Sequence, residues 1–168
     1  QKDIMESLNM GVKAKFFRYT VVRPNMMYAV YEDENKHQRI LRLTKAIAGT
    51  GIVFVRNRKA TASLAALINR NGDSADYYHA GMTYNERLEK QEAWQQGKTR
   101  IMVCTNAFGM GIDKSNVRFV IHYELPESLE AYYQEAGRAG RDGKESRCIL
   151  LYCKPDAEKA SMLLANKF

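Results

Sequence analysis

Four short runs decide what this chain can fold into: Ile52-Val53-Phe54-Val55, Ile101-Met102-Val103-Cys104, Val117-Arg118-Phe119-Val120-Ile121 and Ile149-Leu150-Leu151-Tyr152. Each is too short for a typical helix, and each is nearly continuous in apolar side chains rather than alternating. A strand of that kind has no solvent face, so it belongs in a parallel sheet covered on both sides. The stretches between the runs supply the cover. Ala60, Leu64, Leu67 and Ile68 fall at i, i+4, i+7 and i+8, one face of a helix, and Gly72 lies just past its end as a C-terminal cap. Thr83-x-x-Glu86 is the capping-box pair in which each side chain satisfies a backbone N–H, and it opens a helix on which Leu88 and Trp94 share a buried face.

The same grammar extends in both directions. Met26 to Tyr31 reads as a strand, Lys36 to Ala48 as a helix with Ile40, Leu43 and Ile47 on one side, and Ala75 to Tyr78 as a further short strand. Leu129 to Glu135 is helical, and Pro155-Asp156 starts a terminal helix with proline near its first turn. Strands alternating with amphipathic helices give an α/β protein, a three-layer α/β/α sandwich around a mainly parallel sheet. Residues 1–22 read as a tail or linker from an upstream domain and residues 23–168 as one domain, a length sufficient to bury a sizeable core.

Charge narrows the partners. With 26 Lys and Arg against 19 Asp and Glu, the formal charge is +7, which favours a polyanion, because clustered cations gain affinity by releasing counterions from phosphates. Cys104, Cys148 and Cys153 form an odd set with neither a disulfide framework nor the C-x-x-C spacing of a zinc site, so buried free thiols are expected and no metal centre. No apolar run approaches the roughly 20 residues of a membrane span, and the first residues lack the apolar core of a signal peptide. A membrane partner is not expected, and the expected location is intracellular: cytoplasmic, or nuclear in a eukaryote.

In an open parallel sheet, ligands bind beyond the carboxyl ends of the strands. That rule marks the loops 56–58, 79–81 and 105–113, together with the 137–143 loop by way of its neighbours. Two of these carry chemistry. Gln134-Glu135-Ala136-Gly137-Arg138-Ala139-Gly140-Arg141-Asp142-Gly143 spaces two arginines three apart and flanks them with glycine. Guanidinium forks match phosphate oxygens bidentately, and glycine lets a phosphate chain come close. Thr105-Asn106-Ala107-Phe108-Gly109-Met110-Gly111-Ile112-Asp113-Lys114 offers a hydroxyl for a phosphate and a carboxylate for a ribose hydroxyl. A basic turn and a tight connection needing positive φ would use the same residues, so the local patterns alone leave both readings open.

Taken together, these segments resemble a known family. Thr105 to Lys114, Val117 to His122, and Tyr132 to Gly143 look like the fifth and sixth helicase motifs of RecQ DNA helicases. Tyr78-His79-Ala80-Gly81 and Arg23-Pro24-Asn25 match that family in the same order. The resemblance covers essentially the whole chain and implies the second RecA-like domain of a superfamily 2 helicase. Two departures from the RNA-directed DEAD-box pattern favour DNA: Gln134 to Arg138 in place of His-Arg-x-Gly-Arg, and Gly109 to Asp113 in place of Ala-Arg-Gly-x-Asp. The tetrad Val55-Arg56-Asn57-Arg58 departs from the family's Cys-x-Ser/Thr-Arg, which leaves Arg58 as its firmest carry-over.

The resemblance implies a division of labour. ATP and Mg²⁺ would bind mainly to an upstream RecA-like domain, since Gly-x-Gly-Lys-Ser/Thr and Asp-Glu-x-His are both missing here. Arg141 would act as arginine finger, with Arg138 assisting and Gln134 coupling nucleotide to DNA, while Asp113 and Gly111 would meet the nucleotide. Arg58, Asn57, His79, Gly81, Thr105, Gly109 and Met110 would line the single-strand DNA track. The family pattern further implies 3′ to 5′ movement, no turnover by this fragment alone, and zinc-binding and winged-helix domains downstream. Other readings stay open: a non-catalytic nucleic-acid-binding module, an RNA-directed enzyme, a core-edge or capping role for His79, and a solvated helix start for Arg58.

Overall fold

In the computed structural model, which describes residues 22–108 and 112–165, the apolar runs are strands. They are β1 (Met26–Glu32), β2 (Thr50–Phe54), β3 (Ala75–Tyr78), β4 (Ile101–Cys104), β5 (Val117–His122) and β6 (Ser146–Tyr152). The helices are α1 (Lys36–Ala46), α2 (Arg58–Arg70), α3 (Tyr84–Gln95), α4 (Leu129–Ala136) and α5 (Lys154–Ala165). The strands form one sheet in the order β1-β6-β5-β2-β4-β3, with every pairing parallel. The connection from β4 to β5 therefore steps over β2 and is not a tight turn between neighbours.

Alternation along the strands builds two cores, one on each face of the sheet. Ile52, Phe54, Met102, Cys104, Val120 and Cys148 pack on one face with Trp94 of α3 and Ala136 of α4. Val53, Val103, Phe119, Ile121 and Leu151 pack on the other with Ile40 of α1 and Leu64 and Ile68 of α2. This is the expected three-layer sandwich. No helix among the described residues is long and apolar enough to cross a membrane.

Local signals hold with three adjustments. The capping box at Thr83 and Glu86 forms in both directions, and Gly72 takes φ +91° directly after the last turn of α2. Helix α1 ends two residues early: Ile47 is already extended, with its N–H still bonded to the Leu43 carbonyl and its side chain buried. Leu88 does not share the face of Trp94. Trp94 is fully buried while Leu88 is 40% exposed, because six residues at 3.6 per turn place the two about 120° apart. Of the three thiols, Cys104 and Cys148 are buried but Cys153 is only half-buried. The boundary expected at residue 22 and the glycines around Met110 fall at or within segments outside the described residues.

Candidate functional site

The carboxyl ends of the central strands are knitted together by backbone bonds that run past the sheet. The Val55 N–H donates to the Cys104 carbonyl at 2.8 Å, Tyr123 to Phe54 at 2.9 Å, and Thr105 to Tyr78 at 3.3 Å. The chain beyond β4 is pinned by Phe108, whose ring is fully buried and meets Trp94 and Tyr78 edge-on at 5.3 and 4.9 Å. Above this edge lies a cavity of about 240 Å³ lined by Thr105, Asn106, His122, Gln134, Glu135 and Arg138, with Arg56 and Glu124 also on its wall. Thus Thr105, from the loop after β4, and Gln134 and Arg138, from the segment around the end of α4, do come together.

Burial pushes the Arg138 guanidinium below its ordinary pKa, with the charge of Arg141 acting in the same direction. Two residues of this floor were not singled out from sequence. His122 is 1% exposed, its Nε2 stands 2.8 Å from Glu135 Oε2, and its ring stacks on Phe54 at 5.3 Å. A carboxylate on that nitrogen orients the ring, and the pair ties α4 to the end of β5. The legible signal was a histidine directly after the apolar run Phe119-Val120-Ile121, at the ligand edge of its strand.

Arg141 goes elsewhere. Its Nη1 donates to Asp113 Oδ1 at 3.0 Å and to the Ile112 carbonyl at 3.4 Å. The loop that carries it leaves the carboxyl edge at Arg138 and descends to the amino end of β5, where Gly140 N–H bonds the Val117 carbonyl and Asp142 N–H bonds that of Ser115. The 137–143 loop is therefore not wholly part of the edge that sequence reasoning assigned it to. The residues gripping it are Arg23 and Asn25. Arg23 donates from Nη1 to the Gly137 carbonyl at 2.9 Å and from Nη2 to that of Ala139 at 2.6 Å. Asn25 Nδ2 donates to the carbonyls of Gly140 and Lys144 at 2.9 and 3.0 Å.

A third group gathers at the end of β3. A Cβ built on Gly81 would stand 3.1 Å from Arg58 Nη1 and 3.3 Å from His79 Nδ1, so these three residues are neighbours. Asn57 has a structural duty: its side-chain oxygen caps α2 by accepting from the Lys59 N–H at 2.8 Å, which leaves its amide N–H groups for another partner. Gly109, Met110 and Gly111 lie outside the described residues. Among the described residues, no group of three His, Cys, Asp or Glu side chains is placed to hold a metal ion. The donors gathered here, guanidinium, amide and hydroxyl, suit phosphate oxygens.

A fully parallel sheet covered by helices on both faces, with loops gathered beyond the carboxyl ends of its strands, defines a RecA-like α/β domain. Comparison with known proteins agrees. Residues 35–143 match the helicase conserved C-terminal domain. The whole chain is 40% identical to an ATP-dependent DNA helicase Q-like 2 of Arabidopsis thaliana, and 99% of it is 36% identical to the ATP-dependent DNA helicase RecQ of Pasteurella multocida. It spans about a quarter of the length of each, 25% and 26%. Among solved structures, the E. coli DEAD-box protein SrmB superposes with a TM-score of 0.70 at 27% identity, over 83% of this chain and 81% of that one. The chain belongs to the helicase conserved C-terminal domain family, on its RecQ side.

Proposed function

We propose that this chain is the second RecA-like half of an ATP-driven DNA-unwinding motor, completing an active site whose nucleotide and Mg²⁺ are held mainly by another RecA-like domain. Arg141 is its arginine finger, neutralising charge that develops on the γ-phosphate, and Arg138 assists from the cavity wall. Gln134 couples the nucleotide to the DNA edge. Asp113 meets the ribose beside Gly111. Arg58, Asn57, His79, Gly81 and Thr105, with Gly109 and Met110, follow the phosphates of one strand along which the motor steps 3′ to 5′. Alone, the domain does not turn over ATP. Its working partners are DNA and the neighbouring domains of a longer protein, zinc-binding and winged-helix domains among them, in the compartment that holds the DNA.

The observation that carries this reading is the convergence of Gln134, Arg138 and Thr105 on one cavity, with Arg141 three residues further along the same loop. Arg141 must leave Asp113 to reach a phosphate. Both side chains are substantially exposed, 39% and 86%, and exposed pairs contribute only about 0 to 1 kcal/mol, so the exchange is cheap. Identities of 36 to 40% to proteins named as DNA helicases, against 27% to a DEAD-box protein, favour DNA over RNA.

The test is DNA-stimulated ATP hydrolysis by the full-length protein carrying Arg141→Ala. Turnover is expected to fall by about 10³ or more, with DNA binding and melting temperature unchanged. Near wild-type turnover in that variant overturns the reading. Partial duplexes with a 3′ or a 5′ single-stranded tail test polarity, and unwinding of only the 5′-tailed substrate would refute the 3′ to 5′ assignment.

A further inference from the structure

We infer that Arg23 and Asn25 are positioning residues for catalysis, acting through the backbone of the loop that carries Arg138 and Arg141. The inference rests on the reading of those two arginines given above. Arg23 bonds the carbonyls of Gly137 and Ala139, the residues on either side of Arg138. Asn25 bonds the carbonyl of Gly140, the residue before Arg141, and that of Lys144, at the end of the same turn. One planar guanidinium across two alternate carbonyls fixes the peptide planes between them, and those planes set where the Arg138 side chain leaves the backbone.

The loop is shaped to accept this grip. Gly140 has φ +57°, and a Cβ there would lie 2.6 Å from Asn25 Nδ2 and 2.6 Å from Ser146 Oγ, so glycine is what lets the amide reach the backbone. Asn25 is itself held in register, because its own carbonyl accepts from the Ser146 N–H at 2.9 Å where β6 begins beside β1. Neither residue lines the cavity above the strand ends. Their effect is on geometry: misplacing a catalytic group by about 1 Å costs up to about 10²-fold in rate.

Positioning and stability are separable by kinetics. In the full-length protein, Arg23→Ala is expected to lower the kcat of DNA-stimulated ATP hydrolysis by roughly 10- to 100-fold, leaving KM for ATP and the affinity for a single-stranded oligonucleotide within about twofold. Arg23→Lys, which retains the charge and some of the donors, is expected to recover part of the loss. Asn25→Ala, which removes only the second grip, gives a smaller fall in kcat and carries the test if Arg23→Ala does not fold. An unchanged kcat, a loss seen only in KM or DNA affinity, or a kcat that falls only in proportion to the folded fraction overturns the inference. Arg141→Ala in parallel separates the two claims: its retained turnover would refute the arginine-finger reading itself, whereas its loss beside a fully active Arg23→Ala refutes only the positioning role.

Discussion

Replacing Gly51 with alanine is a one-carbon change that this fold cannot absorb. Gly51 opposes Phe119 across the β2–β5 pairing, and a Cβ there would stand 2.0 Å from both Cε2 and Cζ of that ring and 2.5 Å from Cδ2. Ordinary contact begins at 3.4 Å, so ring and methyl must separate by about 1.4 Å. Neither has room. Phe119 is fully buried, while the Gly51 N–H donates to the Arg100 carbonyl at 3.0 Å and its own carbonyl accepts from Trp94 Nε1 at 3.2 Å. Overpacking of a tight core costs about 1 to 3 kcal/mol, occasionally more, and a clash against an immobile ring between two paired strands belongs at about 3. For a domain of this size each kcal/mol moves the melting temperature by about 2 to 4 °C, so Gly51→Ala should lower it by roughly 6 to 12 °C in calorimetry. Phe119→Leu in the same chain removes the obstructing ring atoms and should recover part of that loss. A single variant that melts within 2 °C of wild type would refute the reasoning, as would a double variant no more stable than the sum of its parts.

Other outcomes follow from single features. Burial holds the Cys148 thiol at about 12 and pushes Cys104 well above its ordinary value, so a thiolate-selective reagent should label Cys153 alone in the folded domain and all three thiols in denaturant. Rapid labelling of two or more native thiols contradicts this. The Arg118 guanidinium, 2.6 Å from Asp142, holds that carboxyl below the usual range. Its stabilisation is therefore present above an unfolded pKa of about 3.9 and is lost as pH falls through the lower folded value; urea unfolding between pH 2 and 5 should show this slope weakened in Asp142→Asn. Thr83→Ala removes the side-chain half of the capping box and should cost about 1 kcal/mol by the same assay, with an unchanged midpoint counting against it.

Sequence legibility tracked interaction range. The strands were readable because burial on both faces leaves no polar register, and α3 was readable because its cap lies within four residues of chain. Face assignment failed at Leu88, where apolarity suggested burial that helical geometry denies. The candidate site was legible as a set of motifs but not as an arrangement. That Arg138 faces the cavity while Arg141 pairs with Asp113 depends on how the loop descends beside β5; the glycines at 140 and 143 permit that path through positive φ, but its direction is set by distant partners. The grip of Arg23 and Asn25 spans 114 to 119 residues of sequence, beyond any periodic signal. Similarly, His122 and Glu135 meet only once α4 lies over the end of β5.

The sheet order places the first described strand against the last: among the described strands β1 pairs with β6 alone, Met26 beside Ser146. On a ribosome adding about 5 to 20 residues per second, roughly 6 to 24 seconds separate the emergence of those partners. Through that interval the edge of β1 that will receive β6 is open, and the strand carries Met27, Tyr28 and Val30, which remain more than half exposed even afterwards. The backbone turns around Arg138 and Arg141 wait on the same closure, since Arg23 and Asn25 stand at the head of β1. Their final geometry is thus among the last parts of the domain to be set during synthesis.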